Sequence, residues 1–140
     1  MSMQSATPEE LIARARDAAR CTYSPYSQFP VGAALLCADG TIVTGANVEN
    51  RSFGISNCAE RSALFAAVSQ GKKDFSAIAV MCPRSEVPVS PCGACRQALS
   101  EFCAPDMPVY YAGKDGKYRT TTIGELMPQD ALQGLKKSMH

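Results

Sequence analysis

Histidine is almost missing from this 140-residue chain: the only one is His140, the last residue, which reads as solvated. A surplus of charge is missing too. Lys and Arg number 14 against 13 Asp and Glu, a formal net charge of +1. The basic residues are scattered, and only Lys72-Lys73 and Lys136-Lys137 are adjacent. The chain therefore offers no basic or aromatic patch to a nucleic acid. No apolar run approaches the roughly 20 residues that span a bilayer. The start, Met1 to Pro8, is polar and lacks an apolar signal core. These absences predict a cytoplasmic protein with neither a membrane nor a nucleic acid as partner. Cysteine is present seven times, an odd number and too thin for a secreted disulfide scaffold. What remains is an ordinary balance, 46% hydrophobic and 19% charged. It fits one globular domain over residues 1–140, with Met1 to Ala6 as a loose tail.

In a reducing compartment, thiols at ligand spacing read as metal ligands. The informative segments are Cys58-Ala59-Glu60 and Pro91-Cys92-Gly93-Ala94-Cys95. A lone Cys-x-x-Cys fits structural zinc or redox chemistry, and a lone Cys-x-Glu is close to noise. Together they supply three thiols and one carboxylate. Three thiolates leave a tetrahedral zinc one open position, where a catalytic zinc holds water. Glu60, so close to Cys58, is placed to move that water's protons. A closed structural site would need a fourth Cys or His. Cys82 and Cys103 are the candidates, but both read as small core residues, as do Cys21 and Cys37. Three thiolates on Zn²⁺ carry excess negative charge, and this must be offset if the metal is to act as a Lewis acid. Two helix starts supply part of the offset, and Arg61, bonded to ligand sulfur, supplies the rest.

The surrounding pattern places these segments. Thr7-Pro8-Glu9-Glu10 reads as a capped helix start, with Leu11, Ile12, Ala15, Ala18 and Ala19 on one face that packs through Cys21. Tyr23 to Pro30 is a loop. Val31 to Ala38 reads as a strand buried on both faces, Asp39-Gly40 as a hairpin turn, and Thr41 to Val48 as the returning strand. Glu49 to Asn57 is a loop. Cys58 to Gln70 is helical, with Leu64, Phe65 and Val68 inward and Gly71 as its stop. Phe75 to Cys82 is a strand, Pro83 to Pro91 a loop, and Cys92 to Phe102 a helix. Strands at Pro108 to Ala112 and Tyr118 to Thr122 flank Lys114-Asp115-Gly116. Two short helices, near Ile123 to Met127 and Asp130 to Lys137, finish the chain. The order predicts an α/β layered sheet, part antiparallel and part parallel.

The chain resembles the small zinc-dependent cytidine deaminases. The likeness is carried by Ser24 through Leu36, Gly45 through Asn50, Asn57 through Arg61, Ser90 through Gln97, and Gly124 through Pro128. The resemblance implies a three-layer α/β/α sandwich around a mixed five-stranded sheet. It implies one zinc per chain on Cys58, Cys92 and Cys95, with Glu60 as the proton carrier. It implies hydrolytic deamination of cytidine and 2′-deoxycytidine to uridine and 2′-deoxyuridine, with release of ammonia. Asn47 and Glu49 match the family's ribose-binding pair, Phe29 its pyrimidine-packing phenylalanine, and the Ala59 backbone N–H reads the pyrimidine edge. The usual assembly is a homotetramer with shared sites, to which Phe53 is a possible inter-subunit contact. The chain departs from the pattern twice. Phe53 stands where many relatives carry tyrosine, and Leu126 to Leu132 lacks the relatives' C-terminal aromatic.

Overall fold

The computed structural model describes residues 6–136, so the expected tail (apart from Ala6), Lys137 and His140 lie outside the described residues. Helix α1, Pro8–Ala18, begins as expected: the Thr7 hydroxyl accepts from the Glu10 N–H, and the Glu10 carboxylate accepts from the Thr7 N–H. The strands are β1 (Gly32–Cys37), β2 (Ile42–Ala46), β3 (Phe75–Met81), β4 (Pro108–Ala112) and β5 (Tyr118–Thr122). Between them lie α2 (Ala59–Ser69) and α3 (Gly93–Phe102), with α4 (Ile123–Leu126) after β5.

The five strands form one sheet in the order β2-β1-β3-β4-β5. The pairs β1/β2, β1/β3 and β4/β5 are antiparallel, and β3/β4 is parallel. The parallel pair needs a crossover, and α3 supplies it. Gly40 takes a left-handed φ of 91° at the hairpin turn, as its Asp-Gly signal requires.

Alternation along the strands builds two cores. Ala33, Leu35 and Cys37 of β1 join Ile78 and Val109 beneath Ala63, Leu64, Ala67 and Leu99 of α2 and α3. Ala34 and Leu36 join Ala77, Ala79 and Met81 on the other face, beneath Leu11, Ile12 and Ala15 of α1. Every residue of β1 is buried, because helices cover both faces. The three layers are thus α1, the sheet, and α2 with α3. Glycine permits the closest approaches. A Cβ at Gly32 would sit 1.8 Å from the Ala15 carbonyl oxygen, and one at Gly45 would sit 2.4 Å from the Ala63 nitrogen. Gly45 therefore sets how near α2, and the site at its start, lies to the sheet.

Several expectations need correction. Phe65 is 48% exposed, not inward, because the buried stripe of α2 runs through Ala59, Glu60, Ala63, Leu64 and Ala67. Cys21 is exposed: it ends a 3₁₀ turn, Ala19–Cys21, that leaves the α1 register. Ala6 is partly buried against the α1 core rather than loose. The expected helix over Asp130 to Lys137 is only a 3₁₀ turn at Gln133–Leu135.

Candidate active site

Cys58 is the N-cap of α2 and Cys92 the N-cap of α3, while Cys95 lies in the first turn of α3. Neither N-cap sulfur bonds the backbone N–H groups of its own helix start, so both are left to side-chain partners. Their two helix starts meet. The Cys58 and Cys92 sulfurs lie 3.7 Å apart and those of Cys92 and Cys95 3.6 Å apart. All three fall within 4.8 Å of one another. Cys82 and Cys103 are buried and stand outside this trio, so among the described residues no fourth thiol closes it.

The electrostatics fit a cation. Hydrogen bonding from the Cys95 thiol, and then from Arg61, brings Cys58 down to about 5. Cys95 is pushed up by that same bond and by burial. The Arg61 Nη2 donates to the Cys58 sulfur at 3.3 Å. Its Nε is buried with no hydrogen-bond partner among the described residues. A half-buried guanidinium with one buried, unpartnered N–H matches a cluster that grows more anionic as protons leave. Metal ligation requires that proton loss. The donor set, three sulfurs with an adjacent cation, therefore suits Zn²⁺ with one position left open.

A cavity of about 290 Å³ opens beside Cys58 and Cys92 of this trio, lined among others by Phe29, Asn47, Glu49, Ala59 and Glu60. Its size is near the lower end for small-molecule sites. Glu60 is only 5% exposed and forms no ion pair among the described residues. Burial, and then the Cys58 charge, raises its carboxyl to about 7. Cys82, read from sequence as core, is buried but also lines this cavity; burial, then the Glu60 charge, pushes its thiol up to about 12. Phe53 lies outside the cavity. It is 70% exposed and packs edge-on against Tyr26 at a centroid distance of 5.6 Å.

Asn47 and Glu49 have partners that the sequence does not reveal. The Asn47 Oδ1 accepts from the Val31 N–H at 2.9 Å and from the Thr22 hydroxyl, and its Nδ2 donates to the Phe29 carbonyl at 2.9 Å. The Glu49 Oε1 accepts from the Tyr26 and Ser27 N–H groups at 3.0 and 3.1 Å, and its Oε2 accepts from the Ser27 hydroxyl. These bonds hold Glu49 well ionised, the Ser27 hydroxyl foremost. They also seat the loop that carries Phe29. Arg84 adds a bond from its Nη1 to the Gln28 carbonyl at 3.1 Å, where Gln28 takes a φ of 55°. Thr22, Ser27 and Arg84 carry no sequence signal for this work beyond a polar loop.

Known proteins bear on the same residues. The family model for the cytidine and deoxycytidylate deaminase zinc-binding region matches residues 5–111. A cytidine deaminase of Sporosarcina psychrophila is 52% identical over 120 residues, covering 86% of this chain and 88% of that protein. A blasticidin-S deaminase of Bacillus cereus is 42% identical over 105 residues, covering 70% of this chain and 74% of that protein. The crystal structure of the cytidine deaminase from Burkholderia pseudomallei superposes with a TM-score of 0.85 at 44% identity, covering 89% of this chain and 98% of that one. The three-layer fold, the thiol trio and these likenesses agree, and the chain belongs to the zinc-binding cytidine and deoxycytidylate deaminase family.

Proposed function

We propose that this protein deaminates cytidine and 2′-deoxycytidine hydrolytically, yielding uridine or 2′-deoxyuridine and ammonia, as a step of pyrimidine salvage. The observation that carries the reading is the buried Glu60 in one cavity with the thiols of Cys58 and Cys92. A structural metal site has no use for such a carboxyl. Cys58, Cys92 and Cys95 would hold one zinc per chain. Bound there, the metal supplies Lewis acidity that makes water a nucleophile near neutral pH. Glu60 takes the proton from the attacking water and delivers it to the pyrimidine N3; it then takes the proton of the new C4 hydroxyl and passes it to the leaving amine, so that ammonia departs as the C4 carbonyl forms. Its low exposure keeps bulk water from competing for those protons. Arg61 offsets the thiolate charge, and Phe29 packs on the pyrimidine, whose edge meets the Ala59 N–H.

For the sugar, a donor–acceptor count supports Asn47 and Glu49. On each side chain, three hydrogen-bonding capacities are committed to the loop. One N–H of Asn47 and one lone pair of Glu49 remain. A hydroxyl accepts from the first and donates to the second, which suits the ribose 3′-OH. The whole chain acts as one domain in the cytoplasm. It assembles as a homotetramer, with Tyr23, Tyr26, Val48, Phe53 and Ile55 as an exposed apolar surface beside the site for a neighbouring copy.

A second reading, an antibiotic or modified cytosine nucleoside as substrate, is favoured by the likeness to the blasticidin-S deaminase. A panel of cytidine, 2′-deoxycytidine, cytosine, blasticidin S and a cytosine-containing oligonucleotide, scored for ammonia, decides. Cytidine and 2′-deoxycytidine are expected to react fastest. Faster release from blasticidin S favours the second reading, and turnover of free cytosine or the oligonucleotide rejects the proposed sugar contacts.

A further inference from the structure

The segment that carries Cys92 and Cys95 ends in Arg96, which neither the thiol trio nor the cavity engages directly. Arg96 is half-buried and pairs with no carboxylate among the described residues. Its guanidinium instead spans three neutral acceptors. Nε donates to the Pro91 carbonyl at 2.7 Å, Nη2 to the Ser90 hydroxyl at 2.9 Å, and Nη1 to the Leu126 carbonyl at 3.3 Å. Ser90 and Pro91 belong to no helix or strand, and among the described residues no other hydrogen bond reaches either. Yet Val89 and Ser90 line the cavity, and Cys92 is the next residue after Pro91.

We infer that Arg96 is a positioning residue: from α3 it fixes Ser90 and Pro91, and with them the cavity wall and the seat of Cys92, and it ties that wall to the C-terminal segment at Leu126. The inference rests on the reading that the thiol trio holds zinc. A loop without its own ladder would otherwise sample many backbone states, and each would move the Cys92 sulfur relative to Cys58 and Cys95. Three acceptors in three directions call for a planar fork of donors; a single ammonium cannot serve them together. Gln97 and Lys136 extend the same tie. The Gln97 Nε2 reaches Asp130 at 3.4 Å, and the Lys136 Nζ donates to the Cys103 carbonyl at 3.1 Å, so Asp130 and Lys136 are both tied to α3 and its C-cap. The segment that lacks the relatives' aromatic is thereby coupled to the pocket through Arg96.

The test uses the zinc-loaded full chain, wild type beside Arg96→Ala and Arg96→Lys. Zinc transfer to an excess of a chromophoric chelator is timed, melting temperature is recorded, and kcat and KM for cytidine are measured. Groups that orient metal ligands typically change metal affinity or activity by about 10- to 100-fold. Arg96→Ala is expected to release zinc faster and to raise KM by factors in that range, with kcat of the zinc-loaded enzyme little changed. Arg96→Lys is expected to lie nearer to the alanine variant than to wild type on both readouts. Wild-type zinc release and KM, with only a lowered melting temperature, would make Arg96 a plain strut and overturn the inference. If the alanine variant does not fold, the lysine variant decides by the same criteria. If wild type does not turn over cytidine, the substrate reading fails on its own, and the zinc-release comparison still decides for Arg96.

Discussion

The two helix starts that supply the thiols contribute different things. The start of α2 concentrates ionisable groups: Cys58 caps it, Glu60 is buried in its first turn, and Arg61 bonds the Cys58 sulfur at 3.3 Å. The start of α3 has no acidic residue in its first turn, and its arginine, Arg96, bonds loop backbone and a hydroxyl instead. On the proposed reading, one start tunes charge and moves protons. On the same reading, the other holds two ligands and a cavity wall in place. The same local device, a thiol at a helix N-terminus, thus serves electrostatics at one start and geometry at the other. The residues of the first helical turn decide which.

Removing a ligand tests the joint product of both starts and should have the largest effect. Cys95→Ala is expected to lose stoichiometric zinc and all detectable ammonia release, measured by elemental analysis and a coupled assay. Retained zinc and turnover would show that the trio is not the metal site.

Sharpening the electrostatic half comes next. With Arg61→Gln the thiolates lose their adjacent cation, and zinc affinity is expected to fall by about 10- to 100-fold. Competition titration measures it, and KM for cytidine should hold at the wild-type value. An unchanged affinity would remove charge compensation from the account of α2.

The sugar contacts give a smaller effect. Without a 3′-hydroxyl, the spare Asn47 N–H and the spare Glu49 lone pair lose their partner. Wild type should therefore prefer cytidine over 3′-deoxycytidine in kcat/KM, and Glu49→Gln should narrow that preference. A ratio unmoved by the substitution would leave Glu49 as a loop anchor only.

Smallest at the site is a change on the far face of the sheet. Leu11, fully buried on α1, touches neither helix start. Leu11→Ala is expected to cost about 2–5 kcal/mol of stability in denaturant unfolding. Zinc affinity and KM of the folded fraction should stay at wild-type values. A shift in either would show that the two cores are coupled more tightly than the layered packing implies.

Much of the fold and of the thiol site is legible in the sequence because the signals are local. The capping box at Thr7 and Glu10, the apolar run of β1, the Asp39-Gly40 turn and the thiols at two helix starts all depend on near neighbours. Phe65 departs from expectation because an apolar side chain one position from Leu64 points about 100° away around the helix. The C-terminal helix fails for a different reason. The segment is short, Gly134 sits within it, and the Asp130 carboxylate takes the Leu132 N–H at 3.0 Å. A short segment with glycine and a competing local cap does not propagate. The engagement of Asn47 with Thr22, Phe29 and Val31, and of Arg96 with Leu126, has no sequence signal at all. These bonds join residues far apart in sequence, and only the folded sheet brings them together.

Whether Glu60 carries protons at the thiol site is decided by one paired measurement. Zinc content and ammonia release from cytidine are determined on the same preparations of wild type and Glu60→Gln. About one zinc per chain is expected in both. The variant is expected to lose at least about 10²-fold in turnover, the scale of general acid–base catalysis. Near-normal turnover by a zinc-loaded Glu60→Gln protein would remove Glu60 from the proton path.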